Sequence, residues 1–243
     1  MITQQVNSTD EIRLSFDQQG RTYSEQHGNA ARLLSYRLGL FEQMAGFDQT
    51  DSVLDIGCGN GHHLQGLCHL FAFGTGIDFS EEMILAARKR SSEPNLSFQK
   101  DDAKRLNTID HNTMNVVICS GALEHMVDQR KVLQQVYRVL KPGGRISFLT
   151  PNGEYIWYRR IAPRLGIQTR HYSTDRFFTK NELEKLLKET GFDQVSIKSW
   201  TFIPQGDMPR WTTGLLRVID LLGKWIRVAG WRGGLQVYAK NPL

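Results

Sequence analysis

Apolar and polar positions change their period along this chain. From residue 51, short runs rich in Val, Ile and Phe alternate with stretches whose apolar residues recur every three or four positions. That alternation predicts a parallel α/β sheet with crossover helices. The runs "DSVLDIG" (51–57), "FGTGIDF" (73–79), "NLSFQKD" (95–101), "MNVVICS" (114–120) and "GRISFLTP" (144–151) predict five strands. Between them the pattern predicts helices over 61–70, 80–92 and 128–140. The second opens with Ser80-Glu81-Glu82-Met83, a capping sequence, and the third stops at "KPGG", where Pro142 and the glycines turn the chain. Residues 179–192 carry a Thr cap and a Gly stop around Leu183, Leu186 and Leu187, and 193–200 and 235–240 predict two closing strands.

Three segments stand outside this alternation. Residues 1–50 hold a helix whose stripe Leu34, Leu38, Phe41 and Ala45 is spaced for one face. Residues 151–178 are aromatic and basic, and 201–234 carry a strongly apolar helix. The expected architecture is α/β and Rossmann-like: seven mostly parallel strands with helices on both faces, an N-terminal helical segment and a C-terminal helical insertion. The closing strands complete the sheet pattern, so residues 1–243 are expected to form a single domain. Its parts are a cap over 1–50, a core over 51–150 and acceptor-side elements over 151–243.

Composition narrows the setting. At 40% hydrophobic and 23% charged residues the chain has the make-up of a globular protein with a substantial core. No apolar run reaches the 18 or so residues of a spanning helix, and the polar start "MITQQVNSTDEIRLSFDQQG" does not read as a secretory signal. Cys58, Cys68 and Cys119 form no CxxC pair. A reduced cytoplasmic setting is expected. Charge is uneven: residues 1–150 hold 15 Lys and Arg against 17 Asp and Glu, whereas 151–243 hold 15 against 8. The basic character thus belongs to the C-terminal part, where it would attract phosphates, nucleic acid or anionic lipid headgroups.

The candidate chemistry starts at "VLDIGCGNGHHL" (53–64), with Gly57, Gly59 and Gly61 directly behind a strand. A glycine-rich turn from strand to helix suits a cofactor lying at the carboxyl ends of parallel strands. The spacing GxGxG, with His62 in the final position of the dinucleotide fingerprint, departs from that fingerprint, and no Lys-Ser/Thr follows as a Walker loop requires. Asp78 ends the second strand 23 residues after Asp55, where an acid accepts from ribose hydroxyls, or alternatively caps the next helix. Asp102 follows the third strand, placed for an exocyclic amine, although Asp101 or Asp102 could equally be a solvated loop acid.

"VLDIGCGNG", "GIDFS", "QKDDA", "LEHM" and "LKPGG", in this order over 51–150, resemble the motifs of class I S-adenosylmethionine-dependent methyltransferases. The branch most similar in "LEHM" and "TPNG" holds the ubiquinone-biosynthesis O-methyltransferases. The resemblance implies S-adenosyl-L-methionine as cofactor. It sets Asp55 and Gly57 nearest the methionine moiety, Asp78 at the ribose and Asp102 with Ala103 at the adenine, and it counts Cys58, Gly59 and Phe79 among the cofactor-binding residues. It also sets Ser120 beside the cofactor and Tyr23 over its methionine end. Cys58 is otherwise a small filler, and Tyr23 otherwise packs on the domain. Some relatives carry a Glu three residues before that of "LEH"; here it is Gly121, which counts against a metal-assisted reaction, and no metal ligand set is expected.

Methyl transfer from a sulfonium is an in-line displacement, and a hydroxyl or amine acceptor must also lose a proton. Glu124 and His125 are the candidate bases, with capping or packing of the next helix as their alternative role. His62 and His63 are expected only to line the pocket. In 211–229, Arg217, Asp220, Lys224 and Arg227 form a narrow stripe on an otherwise apolar helix. That helix reads as a cap on the core or a homodimer contact, or else as a wall for a greasy acceptor and a peripheral membrane contact. The expected activity is methyl transfer to a small-molecule or lipid-like acceptor at oxygen. The alternative is an RNA or protein methyltransferase using the basic C-terminal part, although no nucleic-acid module is recognisable.

Overall fold

The computed structural model describes residues 8–19, 30–166, 170, 173–200 and 229–242. Tyr23 and almost all of the apolar helix expected over 211–229 lie outside the described residues. The chain enters through α1 (Thr9–Gln19) and α2 (Ala30–Ala45), then alternates β1 (Ser52–Ile56), α3 (His62–Leu67), β2 (Phe73–Asp78), α4 (Glu81–Arg90) and β3 (Leu96–Lys100). It continues through β4 (Met114–Ser120), α5 (Gln129–Val139), β5 (Leu140–Pro151), a π-helical turn Trp157–Ile161 running into α6 (Ala162–Arg164), α7 (Lys180–Thr190), β6 (Asp193–Trp200) and β7 (Gly234–Lys240).

The seven strands form one sheet in the order β3-β2-β1-β4-β5-β7-β6. β7 runs antiparallel to both β5 and β6, and the pairs from β3 to β5 are parallel. The order reverses between β1 and β4, which opens a crevice at their carboxyl ends. Burial follows position in the sheet. β4 is central and reads as a continuous apolar run, with Val116 to Cys119 all buried, because helices cover both of its faces. β7 alternates instead, burying Leu235, Val237 and Ala239. One core lies under α5 and α7, joining Leu54, Ile56 and Val117 to Val132, Val136, Leu183 and Leu187. The other lies under α2, α3 and α4 and joins Val53, Val116 and Ile118 to Phe41, Leu64 and Ile84.

The expected fold class holds, with three local differences. The strand expected from 144 begins at Leu140, because Leu140 pairs with Met114 and a bulge then restores register at Val116 and Arg145. Gly143, at φ +76, lets the backbone absorb that bulge. The helix expected over 61–70 keeps α geometry only to Leu67 and finishes as a 3-10 turn, Cys68–Leu70. α1 has no counterpart in the sequence reading: it is polar apart from a few positions, yet it buries Ile12 to 1% exposure. Among the described residues no helix is long and apolar enough to cross a membrane.

Candidate functional site

The glycine turn closes β1 against β2. Gly57 N and Cys58 N both donate to Ile77 O at 2.9 Å, and Gly61 N donates to Cys58 O at 3.0 Å. Gly57 sits at φ +68, and a Cβ there would stand 2.5 Å from the Ala122 Cβ. Glycine is therefore required at that position by both dihedral and space. Gly59, at φ +53, faces open space instead, with nothing within 4 Å of where its Cβ would be. Its backbone is bare towards the crevice.

Asp78, at the tip of β2, binds the turn directly. Its Oδ2 accepts from Gly59 N at 2.9 Å and its Oδ1 from Ser80 N at 3.0 Å. Ser80 itself caps α4, accepting from Met83 N at 3.2 Å, and its hydroxyl donates to Asp17 of α1. The helix-cap role considered for Asp78 thus belongs to Ser80. Burial pushes the Asp78 carboxyl up to about 6 against the lowering effect of these amide donors, with Asp17 adding a smaller upward push. Hydroxyl donors from a ligand would favour the charged form.

Two cavities flank this turn and share Gly57, Asp78 and His125. The larger, ≈ 410 Å³, is walled by the rest of the turn, Ser120 to Ala122, Phe16 of α1, and Leu34 and Arg37 of α2. The smaller, ≈ 60 Å³, is walled by Phe79, Asp101 to Lys104, and Thr9 and Ile12 of α1. A long ligand with one end in each would pass Asp78 and His125. Within the smaller cavity the loop acids separate. Asp101 accepts from Asp102 N and from the amide and hydroxyl of Thr108, at 2.7, 2.8 and 2.6 Å, so its carboxylate holds the loop. The Asp102 carboxylate accepts from Lys104 N at 2.9 Å, with the Lys104 ammonium 3.8 Å away. Ala103 lies beside it, buried.

The structure brings Gly57, Cys58, Gly59, Asp78, Ser120 and His125 to the larger cavity, and Phe79, Asp102 and Ala103 to the smaller one. Asp55 and Glu124 are absent from both walls. Asp55 is 1% exposed beneath the turn; burial, then the charge of Asp78, holds its carboxyl well above the usual range. Its Oδ2, the Ser120 hydroxyl and His63 Nε2 have no hydrogen-bond partner among the described residues. Buried polar atoms are seldom left so, and a polar ligand would satisfy those that face the cavity. This donor and acceptor set fits a nucleoside bearing an amino-acid tail.

Behind the cavities, the turn Leu123–His125 follows β4. Glu124 is 3% exposed and its Oε2 accepts from the Thr150 hydroxyl at 3.1 Å. Burial raises its carboxyl above the ordinary value, opposed by His125. His125 Nδ1 lies 2.7 Å from Asp175 Oδ1, a carboxylate that the sequence reading did not single out. Burial disfavours the charged ring, but Asp175 and Glu124 outweigh it and raise its pKa. Neither residue caps α5, since Asp128 does so through Lys131 N at 3.1 Å. Only a residue type, Asp beside a basic and aromatic run, hinted at Asp175. His63, also in the larger wall, is pushed down to about 3 by burial, with Arg37 and His62 adding to it. Among the described residues no group of three His, Cys, Asp or Glu could hold a metal.

A doubly wound sheet with cavities at the switch point between β1 and β4 is the architecture of class I S-adenosylmethionine-dependent methyltransferases. Comparison with known proteins agrees: residues 47–199 match the family model described as a methyltransferase domain, and the chain belongs to that family. S-adenosylmethionine is the cofactor of that class, and residues of this chain fit it as described. Among curated relatives, a malonyl-[acyl-carrier protein] O-methyltransferase of Bacillus anthracis is 27% identical over 71% of this chain and 66% of its own length. A ubiquinone biosynthesis O-methyltransferase of Cupriavidus pinatubonensis is 28% identical over 69% of this chain and 70% of its own. The chain thus spans about two thirds of the length of these relatives. Among solved structures, an S-adenosylmethionine-dependent methyltransferase from Thermotoga maritima superposes with TM-score 0.69 at 18% identity, covering 95% of this chain and 99% of its own. A Haemonchus contortus phosphoethanolamine N-methyltransferase with bound S-adenosylhomocysteine gives TM-score 0.63 at 16% identity, covering 86% of this chain and 53% of its own. At such identities the structures share the fold alone, and fold does not set the acceptor.

Proposed function

We propose that this chain, folded as a single methyltransferase domain, transfers the methyl group of S-adenosylmethionine to oxygen of a small-molecule or lipid-like acceptor. The pair of cavities sharing Gly57, Asp78 and His125 carries the reading. In it, Asp78 accepts from the ribose hydroxyls, Phe79, Asp102 and Ala103 surround the adenine, and the bare turn at Gly57 to Gly59 lies along the methionine portion beside Ser120. The bound cofactor supplies an electrophilic methyl on a sulfonium sulfur. The chain's own contribution is alignment and exclusion of water; such positioning is worth on the order of 7–11 kcal/mol. His125, in the wall common to both cavities, takes the acceptor proton, a step worth about 10²–10⁴-fold. Glu124 supports the resulting imidazolium from behind instead of acting as the base. The O-methyltransferase names of the curated relatives support oxygen.

The test is incubation of the purified protein with methyl-labelled S-adenosylmethionine and fractionated cell extract. Label is expected in an organic-soluble product as a methyl ether or ester. Label in RNA or protein would overturn this reading in favour of the macromolecular alternative, and binding without transfer to any fraction would overturn both.

A further inference from the structure

The His125 ring is held from a part of the chain that motif reading passes over. Its Nδ1 lies 2.7 Å from Oδ1 of Asp175, fifty residues downstream, and the Asp175 side chain is fully buried while 12% of the His125 side chain is exposed. The segment carrying Asp175 is itself docked at several points. Arg176 N donates to Glu124 O at 2.9 Å, Gly153 N donates to Phe178 O at 2.8 Å, and Asn152 bridges to Phe178. A Cβ on Gly153 would come within 2.5 Å of Phe177 O, so this approach is as close as a backbone permits. The backbone of the segment is thus held to the Glu124–His125 turn through Arg176 N and to Asn152 and Gly153 through Phe178, and this places the Asp175 carboxylate at the His125 ring.

We propose that Asp175 is the positioning residue of the transfer reaction: its carboxylate accepts the Nδ1 proton of His125 and so makes Nε2 the basic nitrogen. This rests on the reading of His125 as base. A carboxylate only accepts, so Nδ1 must donate, and in the neutral ring the lone pair is then at Nε2. In the step served, the acceptor O–H bond breaks as its proton bonds Nε2, the oxygen bonds the methyl carbon, and the C–S pair stays on sulfur. The products are a methylated acceptor, a neutral thioether and an imidazolium, which returns its proton to water. Asp175 faces the growing positive charge from the downstream segment and Glu124 faces it from the same turn. Asp78, Asp101, the Asp102–Lys104 pair, Arg37 and Arg90, together with His62 and His63, are the other charged or titratable groups of the adjoining walls.

The test compares wild type with Asp175→Asn and Asp175→Glu. In Asp175→Asn, kcat is expected to fall about 10²-fold or more, the loss expected of a disabled base, with the cofactor Kd within threefold. The acid limb of the kcat/KM profile should move to lower pH, and the His125 titration, read by NMR of the labelled ring without substrate, should move with it. Asp175→Glu, which keeps the acid, should restore most of both shifts and provides the comparison if the Asn variant folds poorly. A purely structural Asp175 would lower cofactor affinity and stability but leave the limb and the ring titration in place, and that result would overturn the proposal. The NMR arm needs no acceptor. An unmoved ring titration overturns the pairing whatever the substrate, whereas a moved titration combined with full activity in His125→Gln overturns the base assignment on which the proposal stands.

Discussion

Asp78 joins the glycine turn to α4 as well as facing the crevice, through Gly59 N at 2.9 Å and Ser80 N at 3.0 Å. Removing its carboxylate leaves two amide donors without their acceptor, at about 1–3 kcal/mol for each buried group so stranded. That cost falls on stability; because Asp78→Ala also removes the acceptor proposed for the ribose hydroxyls, it should weaken S-adenosylmethionine binding by at least about tenfold, 1.4 kcal/mol being a factor of ten in affinity. Isothermal calorimetry is the check, and an unchanged Kd would remove Asp78 from the site. The same scale shows why a motif leaves neighbours ambiguous. Asp101 and Asp102 are equivalent in the sequence and both line the small cavity, yet Asp101 spends both oxygens on Asp102 and Thr108 while the Asp102 carboxylate accepts from Lys104 N. Only the path of the loop tells them apart.

Among the elements, α1 has the weakest sequence signal and a direct place in the site. Its mostly polar surface hides the apolar stripe, since Ile12 and Phe16 suffice to bury it against Phe79. Thr9 and Ile12 wall the small cavity, Phe16 the large one, and the Phe16 ring meets both Phe79 and His125 edge-on at 5.8 Å. Removing residues 1–19 should leave the sheet folded, because neither main core draws on α1, while lowering cofactor affinity. Circular dichroism and calorimetry on the truncated chain would show it; a loss of cooperative unfolding would instead make α1 part of the core. α7 is the opposite case. Its Thr179 cap and its Gly191 stop were legible as residue types at set spacing, because capping is satisfied within one turn, and the structure adds Glu182 as the partner that completes a capping box.

For the whole molecule, stability against pH follows from groups whose proton affinity changes on folding. Asp78 holds its proton more tightly folded, so its stabilising linkage is complete below 3.8 and is lost as pH rises through about 6. His63 runs the other way: its linkage is present above 6.5 and is lost as pH falls through about 3. The two slopes oppose each other between 3.8 and 6. His63→Phe removes the acid-side loss, so the variant should gain on wild type as pH falls from 6.5 towards 4, read as the difference in denaturant midpoint; a constant difference would contradict a buried neutral His63. By itself the sequence determined the alternation of strands and helices, their caps, the positive-φ turn at Gly57 and the acids at the strand tips. Each of these follows from rules acting within a few residues. The tertiary structure alone decided the switch of strand order between β1 and β4, the withdrawal of Asp55 and Glu124 from the cavity walls, and the meeting of His125 with Asp175. Periodicity tells a residue which face it occupies, but burial and partners arise only when distant segments pack.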